Sequence, residues 1–475
     1  MTIPRTTSPG SGVSAAPAPA PSPDPRRWLI LAVASTAQFL AVLDVVAVNI
    51  AFPLIGEDFR AASPGALSWV LNAYTITLAA LLIPAGRLAD GTGRRRSFLL
   101  GLSLFGLAST ACGLAPGLGW LIAARVVQGI GAAVLVPTSL SLALPAFPAR
   151  ERATAVGVWT AVSALAAGSG PVIGGLLAAS SWRWIFLINV PVVVAAVVAG
   201  VRLLPRSEPG ARHRPDLLGT VLVLVAIGGP TTALAQAGEW GHGSPLTLGA
   251  FAAGVAAAAL CAVHVRRTPD AVIDPALFRT RGFTTAVAGL FTYFLAYQTL
   301  LLATSVLFTD VWGYSVQHAG LALAPWPCTV LVVSALSGRI VRLLGERGGA
   351  ALGALCFVAA PLWWLLTAAQ DPHYVTRFLP GLVLCGIGTG LYQPVMFAAT
   401  GALPAHRMSL GSGVLMLSRQ CGTALGVAVL VALGGGEPHA GAGALRAGWV
   451  FAAVAAALAL LAAVMFRRGA PRDLG

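Results

Sequence analysis

Three side chains in the first third of the chain have the types and spacing for proton exchange inside an apolar medium. Asp44 lies 15 residues past Leu29, about 22 Å along a helix at roughly 1.5 Å per residue, and eight residues short of Phe52. It is the only carboxylate deep in a long apolar run. An ionised carboxylate there is costly unless paired, hydrated or protonated, so its proton should come and go with water access. Arg125 and Gln128 share one helical face with Ala132, so guanidinium and amide should point together into the interior, where the Arg field favours an ionised acid. Asn49, five residues past Asp44, reads as a polar contact between helices. Late in the chain Arg419 and Gln420 form a second intramembrane charge with a neighbouring amide.

A loop supplies the other charged constellation. GRLADGTGRRR, Gly86 to Arg96, sits between two apolar runs and holds four Arg and one Asp, too many charges to enter hydrocarbon. Asp90 can pair with Arg94 and Arg95 across a short turn, while Gly86 and Gly93 permit close approach and an unusual backbone. Further on, Gly170, Gly174 and Ala178 recur every four residues, with Gly175 beside them and Pro171 removing one backbone hydrogen bond. Such a stripe makes a tight, kinked seam between helices. Tyr74, Trp159, Tyr293, Tyr297, Gln298, Tyr392, Gln393 and Phe397 are aromatic or amide side chains within apolar runs, and together they would suit a bulky amphipathic organic ligand.

Composition excludes most other chemistry. The six Cys fall in different apolar runs without pairing, and the seven His are scattered, so no metal, disulfide or clustered catalytic set is expected. All 30 basic residues are Arg; without Lys there is no phosphate-binding GxxxxGK[ST] loop, and ATP is excluded as direct energy source. Absence of Lys with abundant Ala, Gly and Arg points to a GC-rich bacterial genome. The net charge of +14 is no nucleic-acid footprint, because most Arg lie in loops on one predicted side, as the positive-inside rule requires of a cytoplasmic face.

These residues must be positioned by membrane spans. With 57% hydrophobic and 10% charged residues the chain is a polytopic membrane protein, all-α, with spans near 28 to 53, 67 to 86, 97 to 116, 118 to 145, 152 to 179, 183 to 204, 217 to 237, 245 to 265, 283 to 309, 316 to 338, 349 to 369, 375 to 402, 408 to 433 and 446 to 466. Fourteen spans place both termini in the cytoplasm. Trp69, Trp120, Trp182, Trp184, Trp240 and Trp312 gather at predicted outer ends. Residues 1–25, rich in Pro, Ser and Ala, show no apolar periodicity, and the first apolar run is too long for a cleaved signal.

The chain also repeats itself. Gly86, Arg87, Leu88, Gly93 and Arg95 recur as Gly338, Arg339, Ile340, Gly345 and Arg347, 252 residues on; Gly129, Gly131 and Pro137 recur as Gly386, Gly388 and Pro394, 257 on. The expected organisation is a disordered cytoplasmic tail at 1–27, a six-helix bundle at 28–204, two additional helices within 205–282, a second six-helix bundle at 283–466 and a tail at 467–475. The halves are not chemically equivalent, because Arg125, Asp90 and Arg94 correspond to Leu382, Arg342 and Glu346.

Six segments in order carry a family resemblance that covers nearly everything after residue 28. LDVVAVNIAFP (Leu43 to Pro53), GRLADGTGRRR, LIAARVVQGIGAA (Leu121 to Ala133), GSGPVIGG (Gly168 to Gly175), WRWIFLINVP (Trp182 to Pro191) and GYSVQHAGLALAP (Gly313 to Pro325) resemble motifs of the major facilitator superfamily, specifically its fourteen-span drug:proton antiporters. The resemblance implies parallel repeats with a substrate site between the halves near midplane. It also implies proton coupling or recognition of cationic drugs at Asp44, proton transfer at Arg125, an antiporter motif at Gly170 to Gly175, and a loop that latches the cytoplasmic face in the outward-open state. The expectation is a monomeric exporter of drug-like or antibiotic compounds in a bacterial cytoplasmic membrane, driven by the proton gradient, with no cofactor, no metal and no nucleic-acid partner. Proton-coupled nutrient uptake and a polytopic membrane enzyme are the alternatives; GSGPVIGG opposes the first and the scattered His residues the second.

Overall fold

The computed structural model describes residues 25–60, 62–206, 216–241, 243–268, 271, 273–314, 316–367, 373–433 and 442–466; the two tails fall almost wholly outside them. The helices are α1 (Arg27–Asp58), α2 (Pro64–Thr92), α3 (Arg94–Gly113), α4 (Leu118–Ala143), α5 (Arg152–Ala178), α6 (Arg183–Leu187), α7 (Asn189–Leu203), α8 (Leu217–Trp240), α9 (Pro245–Arg267), α10 (Arg281–Val306), α11 (Val316–Leu323), α12 (Pro325–Thr367), α13 (Leu379–Ala398), α14 (Met408–Leu433) and α15 (Ala442–Met465). Among the described residues eleven helical stretches are long and apolar enough to cross a membrane. Helix formation satisfies every backbone polar group internally, which hydrocarbon demands.

Local signals set the ends. Ser63 Oγ accepts the Ala66 N–H at 3.2 Å and Ser244 Oγ accepts the Thr247 N–H at 3.2 Å, each followed by Pro at the first helical position. Gly93 separates α2 from α3 with φ 95°, and its repeat partner Gly345 breaks α12 with φ 73°. The sequence places two spans at 316 to 338 and 349 to 369; in the structure the first begins as the short α11, and the two are parted inside α12 by a kink at Gly345, whose backbone is not helical. The single span read at 183 to 204 is divided at Ile188 into α6 and α7.

The first six spans pack as α1 on α4, α5 and α7, α2 on α4, and α3 on α4, α6 and α7. In the second set α10 packs on α14 and α15, and α12 on α13 and α15. Glycines permit matching close approaches. A Cβ on Gly131 would sit 2.8 Å from the Phe105 nitrogen, and one on Gly388 would sit 2.8 Å from the Gly353 carbonyl oxygen. Gly353 follows Gly101, which also borders Gly131, by the same 252 residues as the loop repeat. The two sets meet where α5 touches α12 and α13, and where α2 and α4 touch α14; α8 and α9 pair with each other, and α8 lies on α2.

Candidate functional site

Asp44, Arg125 and Gln128 form one closed network. Arg125 Nη1 donates to Asp44 Oδ2 at 2.5 Å and to Gln128 Oε1 at 2.8 Å, and Gln128 Nε2 donates to Asp44 Oδ1 at 2.8 Å. Helical spacing brings Arg125 and Gln128 onto one face of α4, and the packing of α1 on α4 sets Asp44 against them. All three are buried, with Arg125 only 1% exposed, so this Arg does not snorkel to the surface. Its Nε donates to the Val70 carbonyl at 2.9 Å, and its guanidinium lies over the Tyr74 ring, 4.2 Å from the centroid. Opposite charges, the Val70 and Gln128 acceptors and an aromatic face offset much of the cost of burying the pair.

Around this triad lies a polar shell that the sequence did not single out. Gln128 Nε2 is 3.4 Å from Ser109 Oγ, Ser109 donates to the Phe186 carbonyl at 2.9 Å, and Asn189 Nδ2 donates to Ser109 Oγ at 2.9 Å. Cys112 Sγ approaches Gln128 Oε1 at 3.6 Å. Each is a small polar residue in an apolar run, and Asn189 lies inside the WRWIFLINVP segment; that position was the available signal. Asn49 bonds its own helix at the Val45 carbonyl, 2.7 Å away, rather than a neighbour.

The loop residues fall at the end of the molecule where the halves touch. Asp90 Oδ1 accepts from Arg94 Nε at 3.1 Å, and its carboxylate also accepts the backbone N–H of Ser409 at 3.3 Å and of Leu410 at 2.9 Å. Arg94 Nη1 reaches the Ser141 carbonyl at 3.2 Å, and Ser141 Oγ meets Ser409 Oγ at 2.7 Å. Arg95 turns the other way and donates to the Val201 carbonyl on α7. A Cβ on Gly86 would sit 2.5 Å from the Ser409 carbonyl oxygen, so this glycine is what lets α2 and α14 close together. The repeat partner Gly338 is pressed against Thr154 of α5 in the same way.

Across the same end Trp159 packs edge-on against Phe397 at 5.8 Å and donates to Ser139 Oγ at 3.2 Å; Arg152 donates to the Gly401 carbonyl. The stripe on α5 seats on α1: a Cβ on Gly170 would sit 2.5 Å from Val46 and one on Gly174 would sit 3.1 Å from the Ala47 Cα, one turn past Asp44, while Gly175 meets nothing. The side chain of Pro171 lies outside the described residues.

Aromatic and amide candidates divide by burial. Tyr74, Trp159, Tyr293, Tyr392 and Phe397 are buried, and Gln393 keeps 7% of its surface; Tyr297, Gln298, Arg419 and Gln420 are partly exposed. Tyr293 stacks on Tyr392 at 4.6 Å and bonds Thr389 Oγ1 at 2.8 Å, and Tyr392 donates to the Ala459 carbonyl at 3.2 Å. Tyr297 meets Trp326 edge-on at 4.8 Å. No group of three or more His, Cys, Asp or Glu capable of holding a metal occurs among the described residues.

The family model described as Major Facilitator Superfamily matches residues 34–427. The chain is 35% identical over 405 residues to the multidrug resistance protein Stp of Mycobacterium tuberculosis, covering 85% of this chain and 75% of that one. It is 37% identical to the puromycin resistance protein pur8 of Streptomyces alboniger, covering 85% and 81%, and 34% identical to the cephamycin export protein CmcT of Amycolatopsis lactamdurans, covering 85% and 84%. Among solved structures, the human organic anion transporter MFSD10 superposes with a TM-score of 0.68 at 15% identity, covering 94% and 100%, and the proton:xylose symporter XylE with 0.67 at 13%, covering 92% and 94%. With its helical frame, its paired glycine approaches and a family match over most of its length, this multi-pass membrane protein belongs to the major facilitator superfamily of transporters.

Proposed function

We propose that the chain exports drug-like or antibiotic organic compounds from the cytoplasm of a bacterium, each efflux step driven by proton entry at Asp44. The observation that carries the reading is the Asp44, Arg125 and Gln128 network, an ion pair sealed inside the first six spans. Relatives named for multidrug resistance, puromycin resistance and cephamycin export support the substrate class. Fourteen crossings are proposed: the eleven apolar stretches, one of which divides at Gly345, together with α8 and α14. The Arg-rich end where Asp90 meets α14 is assigned to the cytoplasm by the positive-inside rule. We assign the closed cytoplasmic end to the outward-open state, with both termini cytoplasmic, a monomer as the working unit and no cofactor.

Coupling follows from the geometry. Ionised Asp44 accepts from both Arg125 and Gln128. A proton on Asp44 cancels its charge and turns one oxygen into a donor, which breaks the attraction to Arg125 and leaves that guanidinium with the Val70 carbonyl and Gln128 Oε1. The helices that carry Asp44 and Arg125, α1 and α4, then lose the ion pair that fixes their packing near the α1 and α5 seam.

The test is transport in proteoliposomes with an imposed pH gradient and a panel of organic compounds, parent against Asp44→Asn. Uphill efflux by the parent with matching proton movement, absent in Asp44→Asn, is the expected result. Gradient-driven efflux that survives Asp44→Asn removes Asp44 as the coupling group. Accumulation of a sugar with no movement of any other organic compound overturns export itself.

A further inference from the structure

The two arginines inside the spans are treated differently. Arg125 has a carboxylate, an amide and a carbonyl; Arg419 on α14 has no carboxylate or hydrogen-bond acceptor for its side chain among the described residues. Its guanidinium lies over a ring, 4.8 Å from the centroid of Phe294 on α10. The face of α14 that carries it is laid on α10: Leu415 is buried, Ser418 Oγ donates to the Val287 carbonyl at 2.6 Å, and a Cβ on Gly426 would meet the Leu295 carbonyl oxygen at 2.7 Å. Arg419 keeps part of its surface exposed beside this contact.

A cation held within the membrane without an internal counter-ion is costly, and such residues mark ligand pathways and name their missing partner by charge. An ammonium would be content with water. A guanidinium offers a planar fork of donors matched to a carboxylate. Beside it, Tyr297 keeps exposed surface and joins Phe294 in a tilted ring contact at 5.4 Å, so an aromatic wall adjoins the charge.

We infer that the transported compounds are organic anions, a carboxylate paired with Arg419 and a ring system lying on Tyr297. This rests on the export reading above and narrows its substrate class. Exchange of a proton for an anion also makes Arg419 the counter-charge that travels with neither, so the positive site is regenerated each cycle.

The experiment uses matched pairs, aromatic carboxylic acids and their methyl esters, in proteoliposomes with an imposed pH gradient. The parent should favour the acid in kcat/KM, and Arg419→Gln should lower the acid-to-ester ratio at least about tenfold, the loss of one charge-assisted pair. Arg419→Lys should restore part of that ratio, which a merely structural role would not do. An ester or a cationic amine preferred by the parent overturns the inference while leaving export standing, and so does an unchanged ratio in Arg419→Gln. If ester transport collapses when chloride is replaced by gluconate, the resident counter-ion is inorganic and the inference again fails. Should no compound move at all, the export reading itself has failed. The parent's own ratio decides the matter even where a variant does not fold.

Discussion

Asp90 Oδ2 accepts the backbone N–H of Leu410 at 2.9 Å, so a carboxylate on α2 caps a helix 320 residues further along the chain. The first N–H groups of a helix lack partners within it, and a carboxylate there also meets the positive end of the helix dipole. Asp90 thus stabilises the closed end only while the halves touch. Asp90→Ala should shift the balance away from this closed end by about 1 to 3 kcal/mol, a 5- to 150-fold change. The check is the rate of maleimide labelling at Ser141→Cys, a buried site beside Ser409 that opens when the end opens. Asp90→Asn keeps an acceptor and loses the charge pair with Arg94, so its rate should lie between the two. An unchanged rate in Asp90→Ala would remove the latch role.

Gly86 acts at the same boundary by having no side chain. The obstacle a Cβ would meet is the Ser409 carbonyl, a backbone atom that cannot turn aside. Gly86→Ala should therefore raise labelling at Ser141→Cys and slow transport, with little change in the helical signal by circular dichroism. Trimming the Ser409 side chain should not rescue it. Gly338→Ala, pressed against Thr154 in the repeat, should open the same end, and equal labelling of all three proteins would refute the close-approach argument.

For the buried triad the expectation concerns stability. Asp44→Asn leaves Arg125 buried without its counter-charge, a loss of about 3 to 5 kcal/mol for a broken buried pair. Removing both charges, as Asp44→Asn with Arg125→Gln, should cost less than Arg125 stranded alone, since no uncompensated ion remains. Thermal unfolding in detergent measures the four corners of this cycle. Additive losses would mean that the pair is not coupled in the membrane-embedded fold.

Individual charges in the spans were legible because hydrocarbon makes them rare; their partners were not. Asp44 and Arg125 stand 81 residues apart, and only the packing of α1 on α4 brings them together. The loop glycines were legible from their repeat and Asp90 from its place among the loop's arginines, yet the donors to that carboxylate across the halves are backbone N–H groups, which no residue type announces. Aromatic residues fared differently. In helices apolar all round, periodicity does not say which face meets the interior, so Tyr293 and Tyr392, set inside one half, read like Tyr297, which keeps exposed surface. Run length fixed the helices within a few residues but left the ends open, and the kink that parts the two spans of α12 rests on the non-helical backbone of Gly345 alone.

At the end opposite the latch, Asp58 at the end of α1 accepts from Trp182 Nε1 at 2.8 Å and from Arg183 Nη1 at 2.9 Å. The Trp182 hydrogen bond, then that from Arg183 with its charge, hold the Asp58 carboxyl below its ordinary value. A folded-state value below the unfolded one means that ionised Asp58 contributes stability above the unfolded value, about 3.9, and that this contribution fades as pH falls through the lower folded value. Asp58→Asn should therefore be less stable than the parent at neutral pH. The gap should hold constant down to about pH 4 and close below it. Thermal unfolding of both proteins from pH 7 to pH 3 reads the gap directly. A difference that grows on acidification, or none at pH 7, would show that the Asp58, Trp182 and Arg183 contact does not tie α1 to α6.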